Sequence, residues 1–231
     1  MIPLHDENPT RRFPIVTVAL IIANLAVFVY QVSLPDAQLL SFFTTWSFVP
    51  ARYFANPLAP LQIATIFSAM FMHTGWVHIS GNMLYLWIFG NNIEDRLGRS
   101  RFVLFYLLCG VAAAALQGAV APASTVPTLG ASGAIAGVLG AYLLLYPGTA
   151  VVTLIPIFFF FEIARIPAFL VIGFWFVLQL GNGLASLSPA VAQAGGVAWF
   201  AHIGGFATGF VLATPLWAKD RWSRHQTARR Y

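Results

Sequence analysis

The sequence predicts an all-α polytopic membrane protein, a bundle of six transmembrane helices with both termini in the cytoplasm. Of its 231 residues, 59% are hydrophobic and only 8% are charged, whereas a typical soluble domain has roughly 25% charged residues. This is too little charge to cover a soluble surface of that size. The apolar residues also fall into runs close to the roughly 20 residues that a membrane helix needs.

Six apolar runs are candidate membrane spans. They cover residues 13–34, 76–91, 102–120, 132–146, 167–180 and 199–217. A further apolar stretch, 153–167, is interrupted by two prolines and carries Glu162 and Arg165. Proline breaks helices and charges are costly inside a bilayer. We therefore expect this stretch to be a connection in or near the membrane interface rather than a seventh span.

The positive charges predict the orientation. With the N-terminus in the cytoplasm, eleven of the twelve Lys and Arg residues lie inside, and only Arg52 lies outside. Cytoplasmic loops carry an excess of positive charge. We therefore expect a cytoplasmic segment at 1–12, a six-span core at 13–218 and a basic cytoplasmic tail at 219–231. The tail is expected to lie near anionic lipid headgroups rather than to bind nucleic acid.

Unusual polar residues share one level, near the outer ends of spans two, four and six. They are His73, just before span two, His78 and Asn82 in its first turns, Ser132 at the start of span four, and His202 in span six. Any one of them alone is more simply a packed or backbone-bonded side chain. Together they indicate a site, because polar groups inside spans face the bundle interior or a cavity.

Ser132 is the candidate nucleophile. The first turn of a helix has free N–H groups and a dipole that favours negative charge, so the Ser132 N–H can help hold an oxyanion. Attack on a carbonyl also requires a base, and His202 and His78 lie at the right depth, with His73 a looser third. Small residues repeat in spans four and six and favour close packing that would bring Ser132 beside His202: Gly133 and Gly137 in the first, and Gly205 and Gly209 in the second.

Other chemistries fit the sequence less well. A zinc protease needs H-E-x-x-H, whereas His73 and His78 are five residues apart. All seven acidic residues fall in the tails, the loops or the interrupted stretch, so a third carboxylate for a Ser-His-Asp triad is not expected. The sequence therefore predicts a Ser-His dyad, and it calls for neither a metal nor another cofactor.

Three stretches resemble the motifs of the rhomboid family of intramembrane serine proteases: "HTGWVHISGNMLYLWIFGNNIEDRLG", "GASGAIAG" and "AHIGGFATGF". The resemblance, of the bacterial type, implies that Ser132 is the nucleophile and His202 the general base. It further implies that His78, Asn82 and the Ser132 N–H stabilise the oxyanion, and that Gly130 keeps the approach to Ser132 open. Gly133 and His73 would lie near this site.

The same resemblance implies substrates that are single-span membrane proteins and enter sideways past span five. Phe174 and Trp175 are then candidates for the gate, although ordinary lipid-facing packing is an equal alternative. One departure is Ala64-Thr65, where many members of the family have a Trp-Arg pair, which puts the anchoring of the first outer loop in question. The short N-terminal segment favours a bacterial or archaeal plasma membrane, with the site opening to the extracytoplasmic side.

Two other functions remain open from the sequence. A catalytically inactive relative could bind membrane helices, but such proteins usually lack the serine or the histidine. A small transporter would spread ionisable groups over several depths, whereas here they gather near one face.

Overall fold

The computed structural model describes residues 1–157, 159–188 and 196–228, with side chains described as far as residue 219. The fold is mostly helical, as predicted. Its elements are β1 (Ile2–Asp6), α1 (Ile15–Ser33), α2 (Asp36–Trp46), α3 (Pro50–Ala55), α4 (Pro60–Ser68), α5 (Trp76–Tyr85), α6 (Asn91–Leu97), α7 (Arg99–Val120), α8 (Ser132–Leu145), β2 (Ala150–Ile157), β3 (Phe160–Pro167), α9 (Ala168–Ser186) and α10 (Trp199–Ala228).

Helical segments lie at all six predicted spans. Within the described part of the chain, four of them are long and apolar enough to cross a bilayer: α1, α7, α9 and the first 21 residues of α10. The helix α8 is shorter, at 14 residues. The predicted second span, 76–91, consists of α5 and a π-helical turn at Leu86–Gly90, and α6 follows it directly. The chain is therefore a multi-pass membrane protein, while the count of six spans stays a prediction.

The expectation of an all-α fold is wrong in one respect, because the chain also forms a three-stranded antiparallel sheet in the order β1-β2-β3. The stretch 153–167, expected to be a connection, belongs to a β-hairpin in which Ala150 pairs with Pro167 and Ile157 with Phe160. Two causes act together. The β-branched residues of β2 favour an extended backbone, and the prolines prevent a helix from continuing.

The sheet is buried at its base and exposed at its tip. Val151 and Thr153 are fully buried, whereas Phe159, Phe160 and Phe161 are 94%, 77% and 72% exposed. On the first strand, one oxygen of Asp6 accepts hydrogen bonds from the Tyr142 hydroxyl at 2.5 Å and from the Asn92 amide at 2.8 Å. This contact ties the N-terminal strand to α8. Burial raises the pKa of Asp6 above its ordinary value.

The predicted contact between spans four and six is confirmed. A methyl group on Gly205 would collide with the carbonyl of Gly133, and one on Gly209 with the carbonyl of Gly137. The backbones of α8 and α10 therefore touch directly, as small residues allow in membrane helices. This close approach fixes the position of the first turn of α8 relative to the first turn of α10.

The segment between α1 and α5 is held by Arg52, which answers the question raised by Ala64-Thr65. Its guanidinium donates to the carbonyls of Thr44 and Ser47, the latter at 2.6 Å, and to the side-chain oxygen of Gln62 at 3.1 Å. Multiple donors in a planar fork suit such a role. The one Lys or Arg residue expected outside is thus the internal anchor of this loop.

The basic tail lies largely outside what the structure describes. Helix α10 continues to Ala228, but no side chain beyond residue 219 is described. The role expected for the tail therefore stays a prediction.

Candidate active site

The structure brings Ser132 and His202 together. Ser132 begins α8, and its Oγ lies 2.8 Å from Nε2 of His202, which is on the first turn of α10. His202 is only 8% exposed. A hydroxyl at hydrogen-bonding distance from an imidazole nitrogen is the arrangement in which the imidazole can remove the hydroxyl proton.

The turn that presents Ser132 requires glycine at position 130. Gly130 has φ +123°, a backbone conformation that other residues rarely adopt. A methyl group there would lie 2.8 Å from Nε2 of His78 and 3.6 Å from Ser132 Oγ. The turn is held by a hydrogen bond from the Gly130 N–H to the carbonyl of Ala69 at 2.8 Å. Nε2 of His78 and Ser132 Oγ therefore border the same space.

His78 is oriented as a hydrogen-bond donor to that space. Its Nδ1 lies 3.2 Å from the Thr74 hydroxyl and accepts a long hydrogen bond, 3.5 Å, from the Thr74 backbone N–H. A backbone N–H can only donate, so Nδ1 is the acceptor and the ring proton lies on Nε2. This Nε2–H and the free N–H of Ser132 at the start of α8 can both approach an oxyanion beside Ser132.

Asn82 and His73 are buried side chains joined by a hydrogen bond. The Asn82 side-chain nitrogen lies 2.9 Å from Nε2 of His73, so one of its two N–H groups is used and the other is free to donate. His73 is 1% exposed, and its backbone is held by Gln31, which accepts from its N–H at 3.1 Å and donates to its carbonyl at 2.8 Å. Nε2 of His73 is thus engaged by Asn82, and the ring nitrogen within hydrogen-bonding distance of Ser132 Oγ is that of His202.

Sequence reasoning missed two amide side chains on neighbouring helices. Oε1 of Gln179, on α9, lies 2.8 Å from Nδ1 of His202. Oε1 of Gln117, on α7, accepts a hydrogen bond from the N–H of Ala201 at 3.2 Å, near the start of α10. The sequence shows each of them only as a single uncharged amide within an apolar span. Which group such an amide contacts depends on which helix packs against it, and the sequence does not show this.

The two gate candidates occupy different positions. Phe174 is 51% exposed. Trp175 instead packs inward, with its ring centroid 5.8 Å from that of His202 and 6.3 Å from that of Phe206. Trp175 therefore forms one wall around the imidazole, while Phe174 lies on the outer face of α9.

A cleft bounded largely by small residues reaches Ser132. The small residues that line it include Gly110, Ala113, Ala114, Gly133, Ala198 and Ala201. Its other walls are formed by Phe48, Ile66 and Met70. Gly133 also belongs to the contact with α10 described above. The cleft beside Ser132 is therefore narrow and largely apolar.

Similarity to known proteins extends over most of the chain. The family model described as Rhomboid domain matches residues 60–219, well over half of the chain. The chain belongs to the rhomboid family. It is 35% identical over 113 residues to the human "Presenilin-associated rhomboid-like protein, mitochondrial", covering 47% of this chain and 30% of that protein.

Two Arabidopsis thaliana proteins extend the similarity. "RHOMBOID-like protein 6, mitochondrial" is 30% identical over 170 residues, which is 72% of this chain and 48% of that protein. "RHOMBOID-like protein 1" is 27% identical over 228 residues, which is 87% of this chain and 52% of that protein. The chain thus spans between about a third and a half of the length of these relatives.

Proposed function

We propose that the chain is an intramembrane serine endopeptidase that cleaves single-span membrane proteins in or near their transmembrane segment. The observation that carries this proposal is the 2.8 Å contact between Ser132 Oγ and His202 Nε2. Support for an oxyanion site comes from the space beside Gly130, which both His78 Nε2 and Ser132 Oγ border, and from the N–H of Ser132 in the first turn of α8.

The proposed reaction proceeds through an acyl-enzyme. Ser132 Oγ attacks the carbonyl carbon of the scissile peptide bond while its proton moves to Nε2 of His202. The resulting oxyanion receives hydrogen bonds from the Ser132 N–H, His78 Nε2–H and the free N–H of Asn82. The tetrahedral intermediate then collapses, the C–N bond breaks, and the leaving amine takes the proton from His202. A water molecule, deprotonated by the same nitrogen, hydrolyses the ester.

The substrate class follows from the bilayer and from the cleft. A helical backbone in lipid satisfies its own hydrogen bonds, so a substrate must unwind locally before its carbonyl can reach Ser132. Helix-weakening residues near the cleavage site are therefore favoured. The small residues that line the cleft support a small side chain immediately before the scissile bond.

The proposed topology has six spans with both termini in the cytoplasm and the site opening to the opposite side. The distribution of Lys and Arg supports it. A reporter fused to the C-terminus, active only on one side of the membrane, tests the orientation. The plasma membrane expected from the sequence stays a prediction, and the names of two of the relatives above refer to mitochondria.

The test compares the intact protein with Ser132→Ala and His202→Ala, each reconstituted with a model single-span substrate that has a small residue before the intended cleavage site. Ser33→Ala is a matched control, because among the described residues the Ser33 hydroxyl donates only to the carbonyl of Tyr30 on its own helix. We expect cleavage to fall at least about a thousandfold in both dyad variants and to be unchanged in the control. Cleavage that survives Ser132→Ala would contradict the proposal. A folded intact protein that binds the substrate without cleaving it would favour the helix-binding alternative.

A further inference from the structure

The imidazole of His202 is held from both sides by neutral groups. Nε2 lies 2.8 Å from Ser132 Oγ, and Nδ1 lies 2.8 Å from Oε1 of Gln179. Gln179 is 5% exposed and His202 is 8% exposed. This contact joins α9 to α10. In Ser-His-Asp enzymes a carboxylate occupies the position facing the second ring nitrogen, and here an amide occupies it.

The amide nitrogen of Gln179 determines which way the amide group is oriented. Its Nε2 donates to the carbonyl of Trp175, one turn earlier on α9, at 3.0 Å. A flipped amide would place an oxygen against that carbonyl oxygen, where no hydrogen bond can form. The atom that faces His202 is therefore the amide oxygen, which can only accept.

The tautomer of His202 follows from this acceptor. Opposite an oxygen that only accepts, Nδ1 of the neutral imidazole must carry the proton. Nε2 is then the unprotonated nitrogen that faces the Ser132 hydroxyl. In the other tautomer Nδ1 would present a lone pair to the amide oxygen, and Nε2 could not take the serine proton.

We infer that Gln179 is a positioning residue for the proposed reaction. It completes a hydrogen-bonded chain Ser132-His202-Gln179 in which the third member stays neutral throughout. The inference rests on the proposed function. When Ser132 Oγ–H gives its proton to Nε2, both ring nitrogens carry protons, and Nδ1–H remains hydrogen-bonded to Oε1 of Gln179. The proton on Nε2 later leaves with the amine. No proton passes to Gln179, because an amide oxygen is not basic enough to take one.

A neutral partner suits a buried site inside a membrane protein. A carboxylate there would have to be desolvated, which is costly without a matching charge. An amide provides the same directional acceptor at a lower desolvation cost. It also stabilises the protonated imidazole less strongly than a carboxylate does, so we expect its removal to cost less than the loss of the third member of a Ser-His-Asp triad.

The test replaces Gln179 by leucine, which keeps approximate size and removes the acceptor, and by glutamate, which keeps an oxygen in either protonation state. We expect Gln179→Leu to lower kcat by about 10- to 100-fold with KM changed by less than about twofold. Gln179→Glu should recover most of the lost kcat. Val177→Leu is the matched control. Val177 is on the same helix and is 63% exposed, so this change should alter neither kcat nor KM.

A direct readout of the tautomer separates this inference from the proposed function. In the full-length protein labelled with ¹⁵N-histidine, the signals of His202 are assigned from their loss in His202→Gln. We expect the proton on Nδ1 in the intact protein and a shift of the equilibrium towards Nε2–H in Gln179→Leu. This measurement needs no cleavage, so it holds even if the chain proves inactive.

Two results would overturn the inference. One is a proton on Nε2 of His202 in the intact protein, a measurement that needs no Gln179 variant and is therefore immune to a folding defect. The other is a folded Gln179→Leu protein with unchanged kcat and an unchanged tautomer. Absence of cleavage in the intact protein as well as in every variant, with the expected tautomer in the intact protein, would instead contradict the proposed function alone.

Discussion

The carboxylate of Glu94 accepts two hydrogen bonds from Thr17, one from its backbone N–H at 2.7 Å and one from its hydroxyl at 2.8 Å. The other oxygen accepts from the N–H of Val16 at 3.0 Å. These N–H groups open α1, where no preceding turn of the helix can satisfy them. A residue of α6, just beyond the predicted second span, therefore caps α1, and the negative charge also suits the positive end of the helix dipole.

Removing this cap should destabilise the protein. We expect Glu94→Ala to lower the free energy of unfolding by about 3 kcal/mol, because three hydrogen bonds to a charged acceptor are lost, two of them buried. Thr17→Val, which loses only the hydroxyl, should cost about 1 kcal/mol. Equilibrium unfolding in mixed micelles measures both. Asp36→Ala, at the exposed first turn of α2, is the control, and an equal loss there would contradict the capping role.

The turn before Ser132 should not tolerate a side chain. We expect Gly130→Ala to lower kcat by at least about 100-fold, because the methyl group strains a φ of +123° and presses on Nε2 of His78. Cleavage of the model substrate measures the loss. Gly181→Ala is the control, since a methyl group there meets nothing within 4 Å. Normal activity in Gly130→Ala would contradict the proposed role of this turn.

Close packing of α8 on α10 should be essential to the fold as well as to the dyad. Gly209→Val places its side chain against the carbonyl of Gly137, so we expect a loss of about 2 kcal/mol or more in stability together with loss of cleavage. Gly181→Val serves as the matched change on an open helix face. If Gly209→Val unfolds at the same midpoint as the intact protein, the backbone contact between α8 and α10 is not essential to stability, which would contradict this prediction.

Stability should depend on the ionisation of Asp6. Because burial raises its pKa in the folded state, the folded state favours the protonated carboxyl. This contribution is complete below the ordinary pKa of 3.8 and is lost as the pH rises through the raised value. Asp6→Asn removes the titrating group, and we expect it to flatten that part of the pH dependence of unfolding. An unchanged slope would assign the pH dependence to another group.

The tip of the β2–β3 hairpin should lie at the membrane interface, as its sequence predicts. Cysteine placed by Phe159→Cys can be labelled selectively, since the chain's one cysteine, Cys109, is fully buried. An environment-sensitive fluorophore at this position should be quenched by brominated lipids in nanodiscs. The same label at Arg12→Cys, in the polar N-terminal segment, should be quenched much less. Equal, weak quenching at both positions would place the tip in water.

Much of the helical framework follows from the sequence because membrane helices leave a strong apolar signal. The hairpin was harder to predict, since residues 153–167 are largely apolar, and their prolines and charges argue against a membrane helix without showing that two strands pair. The pairing of β2 with β1 joins residues about 150 positions apart, and no local pattern reveals such a contact.

The site shows the same division. The proximity of Ser132 and His202 could be anticipated from the spacing of glycines on two helices. The contacts of Gln179 and Gln117 could not be anticipated, because an amide in an apolar run does not show which neighbouring helix it faces. Asn82 was placed correctly on its helix, but its contact with His73 depends on a loop conformation held by Gln31 on another helix.

The most direct test of the central claim is to identify the residue that reacts with a fluorophosphonate. The intact protein is labelled, digested and mapped by mass spectrometry, alongside His202→Ala. We predict a single adduct on Ser132 in the intact protein and its near-complete loss in His202→Ala. An adduct on another residue, or equal labelling of Ser132 without His202, would contradict the proposal that these two residues form the catalytic dyad.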